Sequence, residues 1–160
     1  MPPALAFIGV GSNLGNREIH IRKAEERLKR SGKIKFLRSA PIYETEPVSE
    51  IPQGKYLNTV WEIETDLSAR ELLHVLLEIE SEMGRTRLLK NEPRPIDLDL
   101  LFFGDEILIA PDLILPHPKL QERWFVLKPL WDLRADLIHP VSKKSVCELL
   151  DEVHAHHPKS

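Results

Sequence analysis

Asp97 and Asp99 stand on either side of Leu98 in the run Ile96-Asp97-Leu98-Asp99-Leu100-Leu101-Phe102-Phe103, with Arg94 three residues before Asp97 and with Arg85 and Arg87 further upstream. The apolar residues around the acidic pair read as a strand. In a strand, residues i and i+2 point to the same side, roughly 6–7 Å apart along the chain. Two carboxylates on one face of an apolar strand are unfavourable unless positive charge lies between or beside them. Divalent metal ions or the nearby arginines can supply that charge. Metal and arginine gathered around an anionic substrate are the equipment of phosphoryl transfer. Mg²⁺ commonly keeps several waters beside one or two carboxylates and substrate phosphates, so this pair suffices to dock Mg–ATP.

Other residues carry weaker signals. Tyr56 and Asn58 share one face of a predicted strand, and an aromatic plane beside a carboxamide suits a flat heteroaromatic amide. His117 lies between Pro116 and Pro118, in a loop where a phosphate or ribose contact is available. Glu80 falls late in a predicted helix, near the arginines. Each has a structural alternative at this stage: an exposed Asp edge, an ordinary Tyr–Asn sheet pair, Trp124 and Phe125 as core, Glu80 as half of an ion pair. The glycines of Gly9-Val10-Gly11-Ser12-Asn13-Leu14-Gly15 follow the first strand, but their spacing is wrong for G-x-G-x-x-G, and no G-x-x-x-x-G-K-[ST] occurs. They are expected to form a flexible wall of a pocket.

The elements that must position these groups can be read from pattern. Residues 4–10 form a short buried strand. Asn16 caps a helix to about residue 30, with Ile19, Ala24 and Leu28 facing inward and Gly32 as its stop. Residues 33–44 make a second strand and residues 56–65 a third, alternating strand. Ser68 and Glu71 form a capping box for a second helix ending near Gly84. Residues 96–103 are the fourth strand, and residues 106–109 are expected to hairpin back from it. Short helices follow, one around residues 124–133, then an amphipathic segment with Val146, Leu149, Leu150 and Val153. The order β-α-β-β-α-β predicts an α+β fold with a ferredoxin-like core: an antiparallel sheet, both helices on one face, and a C-terminal hairpin and short helices added.

Length and composition set outer bounds. The 160 residues suit one domain, 1–160, with a frayed tail from about residue 154. A net charge of −3 argues against a broad nucleic-acid-binding surface. One cysteine excludes an internal disulfide framework and a multi-cysteine zinc site. No apolar run reaches the roughly 18–20 residues of a membrane span. The first residues lack a secretory signal, so a cytoplasmic protein is expected.

Taken in order, Gly11-Ser12-Asn13, Tyr43-x-Thr45-x-Pro47, Tyr56-Leu57-Asn58, Gly84-Arg85-x-Arg87, Pro93-Arg94-x-Ile96-Asp97-Leu98-Asp99 and Pro116-His117 resemble the hydroxymethyl-dihydropterin pyrophosphokinases of folate synthesis. The resemblance covers about residues 5–152. It implies transfer of the β,γ-diphosphate of ATP to the hydroxymethyl group of a reduced pterin alcohol, with AMP released and two Mg²⁺ ions held by Asp97 and Asp99. It also implies catalytic roles for Arg85 and Arg94 at the transferring phosphates. Thr45, Pro47, Val48, Tyr56, Asn58 and Phe125 would form the pterin pocket, and Glu80, Arg87, His117 and Arg123 the ATP side. Asn91-Glu92-Pro93 departs from the Trp-Gly-Pro of many members, and Leu88 replaces a basic residue found in some. The partners expected are ATP and the pterin, with no nucleic acid, no membrane and a monomeric chain. Two other readings remain open: an Asp-x-Asp nucleotidyltransferase, which would release pyrophosphate, and a ferredoxin-like binding module, which would consume no ATP.

Overall fold

Apolar alternation along three strands builds the centre of the sheet in the computed structural model, which describes residues 3–46, 53–84 and 94–156. β1 (Ala4–Ser12) runs between β4 (Tyr56–Thr65) and β5 (Asp97–Phe103), antiparallel to both. β2 (Ile34–Ser39) and β3 (Tyr43–Thr45) follow one another along the other edge of β4. The order β2-β4-β1-β5, with β3 continuing the line of β2 along β4, is the ferredoxin-like arrangement. Helix α1 (Arg17–Arg30) joins β1 to β2, and α2 (Ala69–Glu82) joins β4 to β5.

Both helices start where their caps are written. The Asn16 side chain accepts the Ile19 N–H, and Ser68 and Glu71 exchange side-chain-to-backbone hydrogen bonds as a capping box. Ile21, Ala24 and Leu28 of α1 and Leu72, Leu76 and Ile79 of α2 are buried at helical spacing. They pack on Ala6, Ile8, Val10, Trp61, Ile63, Leu98 and Leu100 of the sheet. Truncating one of these leucines to alanine costs about 2–5 kcal/mol.

The C-terminal extension covers the opposite face. Helices α3 (Trp124–Arg134) and α4 (Val146–His156) bury Leu127, Leu130, Val146, Leu149, Leu150 and Val153 against Phe7, Val60, Leu101 and Phe102. Glu62 of β4 is 1% exposed on this side. Its carboxylate is paired twice, Oε1 with Arg38 Nη2 at 2.6 Å and Oε2 with Arg134 Nη2 at 2.8 Å, which ties β2, β4 and the end of α3 together. A buried carboxylate persists only with such partners. No helix among the described residues is long and apolar enough to cross a membrane.

Several sequence expectations are corrected. β1 does not end at Val10 but runs on through Gly11 to Ser12. Ile19 is 41% exposed, because the inward stripe of α1 passes through Ile21 instead. The second strand is broken at residues 40–42, where Pro41 has no N–H to offer a ladder. Residues 106–109 do not pair with β5. Their strand β6 (Leu108–Ile109) pairs instead with β7 (Ile114–Leu115). Helix α4 carries residues 154–156 of the expected frayed tail.

Candidate active site

Register places the acidic pair opposite bare backbone. Asp99 pairs with Gly9 and Asp97 with Gly11 across β1 and β5. Leu98 and Leu100 turn toward α1 and α2, so both Asp side chains face the other side of the sheet. There they line a cleft whose open space, solvent included, is about 790 Å³. The same cleft is lined by Thr45, Tyr56, Asn58, Arg94, His117, Arg123 and Phe125. The glycines are its floor rather than a flexible wall. A Cβ on Gly11 would come within 3.3 Å of the Tyr56 ring and 3.4 Å of Asn58 Oδ1.

One wall is amide and aromatic. Asn58 Nδ2 donates to Thr45 Oγ1 across β3 and β4, which fixes the orientation of the carboxamide. The Tyr43 hydroxyl donates to Asp132 of α3, holding β3 against that helix. Burial first, and then this carboxylate, push the Tyr43 phenol up to about 12. Phe125, at the start of α3, enters the cleft, whereas Trp124 beside it packs on the apolar cluster under α3 and α4.

The other wall is charged. Arg94 Nη1 lies 3.2 Å from Asp97 Oδ2. Its backbone is gripped by Asn13, whose Oδ1 accepts the Arg94 N–H at 2.9 Å and whose own N–H donates to the Arg94 carbonyl at 3.2 Å. Asn13 Nδ2 donates in turn to Gln53 Oε1 and to the Gly54 carbonyl. His117 Nδ1 accepts the Lys119 N–H at 3.2 Å, so the neutral ring carries its proton on Nε2. Burial, reinforced by the Arg123 charge and opposed by Asp97, holds the His117 imidazole down at about 4. It is therefore an uncharged donor near neutral pH. The Arg123 guanidinium stands 5.8 Å from the Phe125 ring centre.

Glu80, expected on the ATP side, does not line the cleft. It is buried behind β5, where Oε2 accepts the Leu98 N–H at 2.7 Å. β5 is a sheet edge, and such N–H groups need partners from outside the ladder. Glu80 thus braces the strand between the two Asp residues. Arg85, Arg87, Pro47 and Val48 lie outside the described residues. Asn13 and Gln53 had no role assigned from sequence. Asn13 directly follows the last residue of β1, where a short amide side chain can hydrogen-bond backbone, but its partners lie far along the chain.

Oxygen-only donors suit a hard cation, and the half-buried Asp97 and Asp99 fit Mg²⁺ held jointly with substrate phosphates. Among the described residues no group of three or more His, Cys, Asp or Glu side chains converges on a metal position. A site completed by a phosphorylated substrate does not need one.

Comparison with known proteins agrees with this geometry. The family model for 7,8-dihydro-6-hydroxymethylpterin-pyrophosphokinase matches residues 7–135. The chain belongs to this family. It is 39% identical over 148 residues to the 2-amino-4-hydroxy-6-hydroxymethyldihydropteridine pyrophosphokinase of Bacillus subtilis, covering 92% of this chain and 86% of that one. It is 41% identical over 150 residues to the folic acid synthesis protein fol1 of Pneumocystis carinii, covering 94% of this chain but only 20% of that larger protein. The fold matches the crystal structure of Plasmodium falciparum HPPK-DHPS with pteroate at a TM-score of 0.78 and 14% identity, over 99% of this chain and 44% of that one.

Proposed function

We propose that this chain transfers the β,γ-diphosphate of ATP to the hydroxymethyl group of 6-hydroxymethyl-7,8-dihydropterin, giving AMP and the pterin diphosphate. The observation that carries the reading is the sharing of one cleft by Asp97 and Asp99 with Thr45, Tyr56, Asn58 and Phe125. The pteridine ring stacks on Tyr56 and Phe125, and the Asn58 carboxamide pairs with its amide edge. Pro47 and Val48 complete that pocket in this reading. Mg²⁺, two ions with ATP, would be held by Asp97 and Asp99, where it supplies charge neutralisation at the phosphates and acidifies the attacking hydroxyl. Arg94, kept in place by Asn13 and Asp97, donates to the transferring phosphates, with Arg85 as its second. Arg87, Arg123 and the Nε2–H of His117 hold the nucleotide end. Glu80 acts on that end through β5.

The transfer is an in-line attack of the substrate hydroxyl on the β-phosphorus. Little covalent chemistry falls to the protein, so positioning and charge placement carry the rate. His117 cannot serve as base through Nδ1, which already accepts a backbone N–H. The reading extends to a monomeric, cytoplasmic enzyme with residues 1–160 forming one catalytic domain. The test is to incubate the protein with ATP, Mg²⁺ and the reduced pterin alcohol and to identify the products. AMP with pterin diphosphate is expected; pyrophosphate release, or ATP left intact, refutes the assignment.

A further inference from the structure

Arg17 opens α1 and reaches away from its helix to two different places on the chain. Its Nη2 lies 2.9 Å from Glu44 Oε2, and its Nη1 donates to the Lys55 carbonyl at 2.9 Å. Glu44 immediately precedes Thr45, and Lys55 immediately precedes Tyr56. Thr45 and Tyr56 are register partners in β3 and β4, and both line the cleft. One guanidinium therefore bridges the chain entering and the chain leaving the amide-and-aromatic wall. A second link across the same gap is weaker, Lys55 Nζ to Glu46 Oε1 at 3.4 Å, with both side chains more than half exposed.

This wall needs such a bridge. β3 has three residues and, among the described residues, ladders only with β4. A strand this short holds its end poorly by backbone hydrogen bonds alone. Tyr43 is anchored to α3 through Asp132, but Thr45, at the far end of β3, lies beyond that anchor. The planar fork of arginine can serve two acceptors at once, whereas an ammonium is a single point of charge.

We propose that Arg17 is a positioning residue for the pterin side of the cleft, fixing the spacing of Thr45 and Tyr56 by gripping Glu44 and the Lys55 carbonyl together. The inference rests on the proposed pterin reading. Among the described residues, Arg17 holds Glu44 and the Lys55 carbonyl, neither of which belongs to the acidic pair or to the residues assigned to ATP. Its removal should therefore split the two substrates, which a general loss of stability would not do.

The test measures steady-state AMP formation, direct affinity for the reduced pterin alcohol and Tm, in the wild type and in Arg17→Ala, Arg17→Lys and Glu44→Gln. Alanine is the better helix former, so α1 itself is not weakened. Arg17→Ala should raise the pterin KM and Kd about fivefold to tenfold, since small misplacements of binding groups are costly. The ATP KM should stay within about twofold, and Tm should change little because exposed ion pairs contribute little stability. Arg17→Lys should fall between wild type and alanine. Glu44→Gln, which keeps the Lys55 contact, should be milder than Arg17→Ala. An active wild type with an unchanged pterin KM and Kd in Arg17→Ala overturns this inference alone. So does a loss that affects both substrates equally and tracks Tm. A wild type that forms no AMP overturns the pterin reading, and the role of Arg17 with it.

Discussion

Phe7 and Phe102 lie on the same sheet face as Gly9, Gly11, Asp97 and Asp99, on the same two strands, yet the two ends of that face have opposite fates. At one end Phe7 pairs with Phe102 in register, their rings edge to face with centroids 6.2 Å apart, and α3 and α4 close over them. At the other end β1 offers two glycines and β5 offers two carboxylates, and the helices do not close. A bulge between the ends shifts the register, so that Leu100 pairs with Ile8 while Phe102 pairs with Phe7. It places Leu101 at the boundary, in both the apolar cluster and the cleft lining. The site is the part of the sheet face from which the core has been withheld. Stability comes from one end, and the proposed chemistry from the other.

If that division is right, substitutions at the two ends fail differently. The largest effect belongs to Asp97→Ala, which should cut turnover by about 10²-fold or more, the scale of losing one group that stabilises developing charge. Its folding should be near normal, as read by Tm and circular dichroism. Near-normal AMP formation by this variant at saturating Mg²⁺ would remove Asp97 from metal binding. Phe102→Ala should show the converse. Emptying that packed position should cost about 3–5 kcal/mol in denaturant unfolding. Turnover per folded molecule should survive, and a stability loss below about 1 kcal/mol would mean that the closed end is not closed.

Gly11→Ala tests the floor itself. The added methyl presses on the Tyr56 ring and on Asn58 Oδ1, which stand at 3.3 and 3.4 Å. We expect a rise of about tenfold in the pterin KM with little change in the ATP KM, in line with a hydrophobic pocket's sensitivity to single methyl groups. Gly9→Ala should be milder, because the three atoms nearest its new Cβ all belong to the Leu101 side chain, the closest at 3.3 Å, and that end can rotate. Equal effects of the two substitutions on the pterin KM would contradict a floor whose pterin end lies at Gly11.

What could be read from the sequence follows the range of the interactions involved. β4 was predicted at residues 56–65 and α2 at its capping box, because alternation and caps are local signals. The facing of Asp97 and Asp99 was legible for the same reason, since a two-residue spacing in a strand fixes a shared side. Ile19 lies two residues, about 200° around the helix, from Ile21 and so opposite the stripe that Ala24 and Leu28 define; its apolar type alone suggests burial, and its spacing does not. The pairing of β6 with β7 was hidden because the choice of partner depends on where Gly104 turns the chain, and its N–H goes to the Leu5 carbonyl of β1. Glu80 illustrates the limit most clearly. Its position near the arginines suggests a ligand contact, and spacing gives no hint of the further partner the fold supplies, a Leu98 N–H eighteen residues away on a sheet edge. Asn13 and Arg17 were illegible as braces for the same reason, each being local in sequence and remote in partner.

Two histidines carry the comparison to its smallest expected effect. His139 belongs to the closed end, edge to face with Phe102 at 5.8 Å, its Nδ1 accepting the Val141 and Ser142 N–H groups. His117 belongs to the cleft. Burial depresses both imidazoles below the roughly 6.5 of an unfolded chain, His117 down to about 4. As pH falls, the unfolded chain therefore takes up protons first. Stability from these groups is complete above about pH 6.5 and is lost on acidification toward the folded values. Ligand separates the two. The phosphates of Mg–ATP would bring negative charge to His117 and raise its titration midpoint, while His139, buried against Phe102, should not respond. Imidazole NMR titrations with and without Mg–ATP measure this directly. A midpoint for His117 that stays put on saturation with nucleotide would place the phosphates elsewhere and detach His117 from the ATP side. A parallel shift at His139 would mean that the two ends of the face are coupled rather than divided.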